Sequence, residues 1–170
     1  MSKLRQVRWR TIRKKAREAR CLSEGFPVRV KDIAEHYDIR VKKMKFPDSS
    51  VSGVIGYRDN QVTIAVNSDH HPCRRNFTMA HELGHFLLHP HSVVVDRALF
   101  RNTVSSEAVS VEEIEANGFA AELLMPEHDV REQAREYAAL CEDEIKELCK
   151  RYGVSTMAMT IRLTSLGLMM

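Results

Sequence analysis

The sequence predicts an α+β fold in which a small three-stranded sheet, antiparallel or mixed, packs with several helices. Two β-branched runs on either side of a turn predict a hairpin, and most of the remaining chain has the 3.6-residue apolar spacing of amphipathic helices. A content of 44% hydrophobic and 29% charged residues is ordinary for a compact domain of 170 residues. We therefore expect residues 1–170 to form a single domain.

A basic helix is predicted over about residues 3–22, which contain good helix formers, no Gly or Pro, and a thin apolar stripe. Residues 1–20 carry a net charge of +8, whereas residues 21–170 carry −5. Such a basic run can neutralise nucleic-acid phosphates, but it is more often a solvated helix face. We adopt the second interpretation, so direct binding of nucleic acid is not expected.

The sheet is predicted between residues 39 and 66. A short helix over Val30 to Tyr37 leads into an edge-like strand between Ile39 and Phe46. The hairpin strands are Val51 to Tyr57 and Gln61 to Val66, because the Asp-Asn pair between them favours a tight turn.

The remaining chain is predicted to be mainly helical. A helix runs from Pro72 to about His89, and the irregular residues 90–110 are expected to form an extended loop beside the site. A second helix spans Glu112 to Leu124, and further helices over about residues 127–168 divide at Gly153.

Several classes of protein are not supported by the composition. The chain has no apolar run of 18 or more residues and no basic-then-apolar leader, so we expect a cytoplasmic protein. The cysteines lie far apart without a C-x-x-C pair, which argues against a disulfide framework. They are Cys21, Cys73, Cys141 and Cys149.

His81-Glu82-Leu83-Gly84-His85 is an H-E-x-x-H motif on a predicted helix. Its two histidines lie about 40° apart on one helix face, so both imidazoles can reach one metal ion. Zn²⁺ takes such nitrogens with a third protein ligand and keeps one position open for water. Glu82 is then expected to act as the general base that takes a proton from the attacking water. The opposite face of the helix is apolar and suited to packing.

A third ligand should come from another helix, and Glu113 with Asn117 one turn later is the best candidate. Asn117 would hydrogen-bond the second ring nitrogen of a ligand histidine and fix its orientation. Glu112 and Glu115 are rival ligands. Spacing alone does not choose among the three glutamates.

Other polar residues near the motif have weaker support. His89 could line the cleft or orient a ligand, although most histidines at this position cap a helix end. His70, His71 and Cys73 match no standard metal-ligand spacing. A residue that stabilises an oxyanion is also expected, and the sequence does not choose among its candidates. These candidates are His91, Arg101 and Tyr152.

Two blocks of the sequence resemble the ImmA/IrrE family of zinc metallopeptidases. They are residues 75–89 (RNFTMAHELGHFLLH) and residues 113–126 (EIEANGFAAELLMP). The resemblance implies a minimal thermolysin-like, zincin-like metallopeptidase core that binds Zn²⁺. It also implies that Glu113 is the third metal ligand, because the family has its glutamate three residues before an Ala-Asn pair. Gly118 departs from the family, which often has a larger residue there.

The resemblance also implies a function. Members of the family typically cleave a helix-turn-helix transcriptional repressor, so we expect a zinc-dependent endopeptidase whose partner is such a repressor or an antitoxin of a phage, mobile element or stress operon. The alternative is a toxin or anti-repressor that acts by protein binding and has a weakly active or structural metal site. Loss of the biological effect in Glu82→Gln, with metal retained, would exclude this alternative.

Overall fold

The computed structural model describes residues 6–58, 60–90, 94–95 and 110–169. This part of the chain contains seven helices and four strands. The helices are α1 (Trp9–Arg20), α2 (Val30–His36), α3 (Pro72–Leu88), α4 (Val111–Leu124), α5 (Glu127–Ala134), α6 (Glu142–Tyr152) and α7 (Thr156–Ser165). The strands are β1 (Arg40–Met44), β2 (Gly53–Arg58), β3 (Gln61–Asn67) and β4 (Val94–Val95). The predicted α+β fold is confirmed.

The strands form one mixed sheet in the order β1-β3-β2-β4. β2 and β3 are the predicted hairpin, paired antiparallel, and Asn60 in the turn between them has a positive φ of 60°. β1 pairs parallel with β3 and lies at the edge, as its basic sequence predicted. Its exposed side chains are largely basic.

The fourth strand is an addition to the three predicted ones. β4 pairs parallel with β2 through only two positions, Gly56 with Val94 and Tyr57 with Val95. It falls within residues 90–110, which were predicted to be a loop, and residues 91–93 and 96–109 lie outside the described residues.

α1 is shorter than the predicted helix over residues 3–22. It begins at Trp9, because the backbone amide of Arg8 donates to the side chain of Glu115 and Arg8 has non-helical dihedral angles. Residues 1–5 lie outside the described residues. The residues of the apolar stripe, Ile12, Ala16 and Ala19, are buried. Helix α1 packs against α4.

The C-terminal segment after α4 is divided into helices at two places, whereas one division was predicted. Gly153 ends α6 in the left-handed conformation with φ of 64°, so the predicted division is confirmed. The second division lies between α5 and α6. There the side chain of Glu144 accepts a hydrogen bond from the backbone amide of Cys141, which starts α6 with a capping arrangement.

α3 and α4 approach each other closely, and this contact positions the candidate site. A Cβ atom added to Gly84 would lie 3.1 Å from the ring of Phe119 and 3.2 Å from the Cα of Ala116. The small residues Ala116 and Ala120 of α4 are fully buried. None of the helices in the described ranges is both long and apolar enough to cross a membrane.

Candidate metal centre

α3 carries the H-E-x-x-H motif in its C-terminal half. The helix begins at Pro72, whose missing N–H costs nothing at a first helical position. The ring nitrogen Nδ1 of His71 accepts a hydrogen bond from the amide of Cys73 and caps the helix. The uninterrupted helix places His81 and His85 one turn apart on the face towards α4.

Three side chains converge between α3 and α4. The Nε2 atoms of His81 and His85 lie 3.0 Å apart. Each lies close to one carboxylate oxygen of Glu113, at 3.3 Å for His81 and 3.2 Å for His85. The ligand atoms of these three residues all lie within 4.8 Å of one another, and no other part of the described chain has a comparable metal-binding group.

Hydrogen bonding and charge are consistent with a site for a cation. Nδ1 of His81 lies 3.0 Å from Oδ1 of Asn117, so the ring donates from Nδ1, and Nε2 is the nitrogen that faces Glu113. Burial lowers the pKa of His81, but Glu113 and the charge of Glu82 outweigh this effect and raise it. Hydrogen bonds from His81 and His85 lower the pKa of Glu113 well below its usual range, so its carboxylate is ionised.

The donor set fits zinc. Two imidazole nitrogens and one carboxylate oxygen are a ligand set used by catalytic zinc sites. Lone pairs crowded at these distances repel unless a proton or a metal cation lies among them. His81, His85 and Glu113 are therefore residues that could hold a zinc ion, with the amide of Asn117 orienting His81.

Glu82 lies beside this group but does not belong to it. Its side chain is buried against the sheet, and burial raises the pKa of its carboxyl above the usual value. The charges of His81 and His85 and a backbone hydrogen bond from Ile55 in β2 act in the opposite direction. A buried carboxyl with a raised pKa is suited to accept a proton near neutral pH.

The structure separates the three glutamates that spacing left open. Glu113 faces the two histidines, and Glu112 is not part of the metal-binding group. Glu115 points elsewhere: it is fully buried and pairs with Arg8, whose hydrogen bonds lower the pKa of its carboxyl. Glu115 therefore has a role for which the sequence offered no local signal, because Arg8 lies 107 positions away.

His89 lies at the C-terminal end of α3, where the sequence suggested a cap. Its ring is buried, and its Nε2 lies 3.2 Å from Glu115 but has no partner with hydrogen-bond geometry in the described structure. Burial lowers the pKa of this imidazole, so it favours the neutral form. The ring centroid is 6.1 Å from that of His85, so His89 lies behind the ligand group rather than in it.

The other candidates from the sequence do not join the site. Tyr152 is fully buried and donates its hydroxyl hydrogen bond to Asp129. His70 bonds the carbonyl oxygen of Ser49, and His71 caps α3, so they do not form a second metal-binding group with Cys73. His91 and Arg101 lie outside the described residues.

Known proteins share both the fold and parts of the sequence. A transcriptional regulator from Mycobacterium tuberculosis has a similar fold, with a TM-score of 0.60 and 20% identity over 92% of this chain and 46% of that chain. The Uncharacterized immunity region protein 2 of Bacillus phage phi105 is 36% identical over 80 residues, which are 45% of this chain and 46% of that protein. The matches thus span about half the length of each relative.

The sequence model of the IrrE N-terminal-like domain, the peptidase family M78, matches residues 34–164. This range contains the whole sheet and α3 to α6, and therefore both helices that carry the converging side chains. The resemblance seen in the sequence is confirmed. The chain belongs to the IrrE N-terminal-like family of M78 peptidases.

Proposed function

We propose that this protein is a zinc-dependent endopeptidase in which His81, His85 and Glu113 bind the metal and Glu82 is the general base. The observation that carries the proposal is the convergence of the three ligand side chains beside the buried carboxyl of Glu82. Membership of a peptidase family supports the same reaction class.

Each residue has a distinct task in this proposal. A bound zinc ion would polarise the scissile carbonyl and make water more acidic. Glu82 accepts the proton of the attacking water and passes it to the leaving amine, a transfer that its raised pKa favours. Asn117 holds His81 in the tautomer that leaves Nε2 free to bind. No covalent bond forms between substrate and protein.

We further propose that the substrate is a helix-turn-helix transcriptional repressor of a phage or mobile element, cleaved in the cytoplasm. The relative in phage phi105 is described as an immunity region protein, which supports a substrate involved in phage immunity. The solved relative is described as a transcriptional regulator, which agrees with action in gene control. Cleavage would relieve repression irreversibly.

The test combines metal content with cleavage of a helix-turn-helix repressor taken from the genome that encodes this protein. Wild type, Glu82→Gln and Glu113→Gln are compared, with Glu136→Gln as a control because Glu136 is exposed and lies outside the site. We expect about one zinc per chain in wild type, Glu82→Gln and Glu136→Gln, and less zinc in Glu113→Gln. Cleavage is expected only in wild type and Glu136→Gln.

Two results would contradict the proposal. Cleavage that persists in Glu82→Gln would remove this residue from the role of general base. Stoichiometric zinc without cleavage, together with stable binding of the intact repressor, would favour an anti-repressor that acts by binding.

A further inference from the structure

Arg8 connects the two helices that carry the candidate ligands. Its backbone amide, Nε and Nη2 donate to the carboxylate of Glu115 on α4 in four contacts of 2.7, 3.0, 3.2 and 2.6 Å. Nη2 also lies 3.3 Å from the carbonyl oxygen of Leu88 at the end of α3. Glu115 is two residues from Glu113, and Leu88 is three residues from His85. Arg8 thus bonds both helices within one turn of the ligand group.

Glu115 depends on this arginine. Its side chain has no exposed surface, whereas 38% of the Arg8 side chain is exposed. Arg8 makes every hydrogen bond that the described residues donate to this carboxylate, because His89 lies near it without hydrogen-bond geometry. A buried carboxylate that loses its cation is strongly destabilised, and the structure around it must move to admit water or another donor.

A second contact seats the same segment on α4. The ring of Trp9 covers Gly118, where an added Cβ would lie 2.8 Å from the ring. Ile12 packs beside it, 3.6 Å from the same position. Trp9 nevertheless remains 50% exposed, so the ring rests on α4 without being enclosed. The absence of a side chain at Gly118 is what allows this close approach.

We propose that residues 7–20 form a clamp that sets the spacing of α3 and α4 and thereby the metal affinity of the site, with Arg8 as its positioning residue. This inference rests on the proposed zinc site. The clamp lies outside the family match, which begins at residue 34. The ligand atoms of a zinc site lie within about 0.2 Å of the standard bond distances. A small shift of α4 away from α3 would carry Glu113 out of reach of the ion that His81 and His85 hold.

The first test compares Arg8→Met with Arg10→Met. Both variants remove one arginine charge at neighbouring positions, but Arg10 is exposed and has no charged or hydrogen-bonded partner in the described chain. Zinc affinity is measured by competition with a chromophoric chelator, and ligand geometry by the visible spectrum of the Co²⁺-substituted protein. We expect Arg8→Met to weaken zinc binding about 10- to 100-fold and to alter the Co²⁺ spectrum. Arg10→Met should match wild type.

The double variant Arg8→Met with Glu115→Gln distinguishes an effect on the position of the ligands from a general loss of stability. A buried amide carries no charge to be neutralised, so this variant should recover most of the lost zinc affinity and the wild-type Co²⁺ spectrum. Lower stability in Arg8→Met with unchanged zinc affinity and spectrum would show a purely structural role and overturn the proposal.

Gly118→Ala tests the clamp while Arg8 and Glu115 stay in place, and it decides the question if Arg8→Met does not fold. Trp9 is the single tryptophan of the chain, so quenching of its fluorescence by acrylamide reports directly on the segment. We expect stronger quenching and weaker zinc binding together. Wild-type zinc affinity in Gly118→Ala would overturn the clamp alone, whereas a wild type that binds no zinc would overturn the proposed function.

Discussion

Asn117 on α4 accepts a hydrogen bond from His81 on α3, with Oδ1 3.0 Å from Nδ1 of the imidazole. This bond fixes the ring so that Nε2 faces Glu113. Replacing Asn117 by Ala should therefore weaken zinc binding about 10- to 100-fold, as for other residues that orient a metal ligand. A chelator competition measures the affinity. Asn117→Asp, which keeps an acceptor at the same place, should bind zinc more tightly than Asn117→Ala, and the reverse order would contradict this role.

Glu82→Gln should leave zinc bound but reduce hydrolysis about 10²- to 10⁴-fold. The amide keeps the size of the buried side chain and removes the group that accepts the proton. Single-turnover cleavage of the repressor, with metal content measured on the same samples, separates the two effects. Parallel loss of zinc and activity would instead indicate that Glu82 supports the metal site.

Gly84→Ala should destabilise the protein although alanine is the better helix former. The new methyl group would meet Phe119 and the backbone of Ala116 at 3.1 to 3.2 Å, so the ring or the backbone of α4 must give way by a few tenths of an ångström. We expect the free energy of unfolding to fall by about 1–3 kcal/mol in denaturant titrations. Thr11→Ala on the exposed face of α1 is the control, because it changes helix propensity without crowding. Equal or greater stability in Gly84→Ala would show that the interface can relax.

Removal of metal should lower the stability of the wild type. Zinc that binds only the folded protein adds about 2.7 kcal/mol to the free energy of unfolding when its free concentration is roughly 100 times Kd. Thermal unfolding with and without a chelator measures this difference. His85→Ala should unfold at the same temperature in both conditions, since it lacks one ligand of the candidate group. A chelator effect that persists in His85→Ala would place the stabilising metal elsewhere.

Tyr152→Phe should affect stability and leave zinc affinity unchanged. The variant removes a hydroxyl that donates to the charged carboxylate of Asp129, a bond worth about 1.5–3 kcal/mol when one partner is ionised. Phe keeps the edge-to-face contact with Phe26, whose ring centroid lies 4.8 Å away. Urea unfolding and zinc titration on the same samples test both parts. A selective fall in catalytic rate at full stability would restore Tyr152 as an oxyanion candidate.

The H-E-x-x-H motif could be interpreted from the sequence because its chemistry depends on local spacing. His81 and His85 lie on one helix face whatever the rest of the chain does, and the apolar opposite face fixes which side packs. The hairpin and the edge position of β1 were predictable for the same reason, since turn residues and basic strand residues act locally.

Local sequence spacing could not show which of Glu112, Glu113 and Glu115 is the third metal ligand. The choice depends on how α4 rotates against α3, which Gly84 and Ala116 determine through a contact between distant parts of the chain. The sequence resemblance selected Glu113, and the geometry now places it opposite both histidines. Its role as a metal ligand stays a prediction, as does the single-domain organisation of residues 1–170.

The pairing of Arg8 with Glu115 could not have been foreseen. Arg8 belongs to a run of basic residues that looked like a solvated helix face, and nothing in its spacing distinguishes it from its exposed neighbours. The pair forms only when α1 packs on α4. The predicted helix was accordingly too long. It included Arg8, whereas the contact of Arg8 with Glu115 leaves Arg8 outside the helix, which begins at Trp9.

The basic edge of the sheet has a consequence for association with other chains. Exposed Arg40, Lys42 and Lys43 on β1 would repel a second copy of the same edge, which disfavours the joining of two sheets there. On the other side of the sheet, beyond β2, β4 pairs with just Gly56 and Tyr57 in the described chain. That side is adjacent to Glu82 through Ile55. A strand added beyond β2 would therefore lie nearer to the carboxyl of Glu82 than one added at β1.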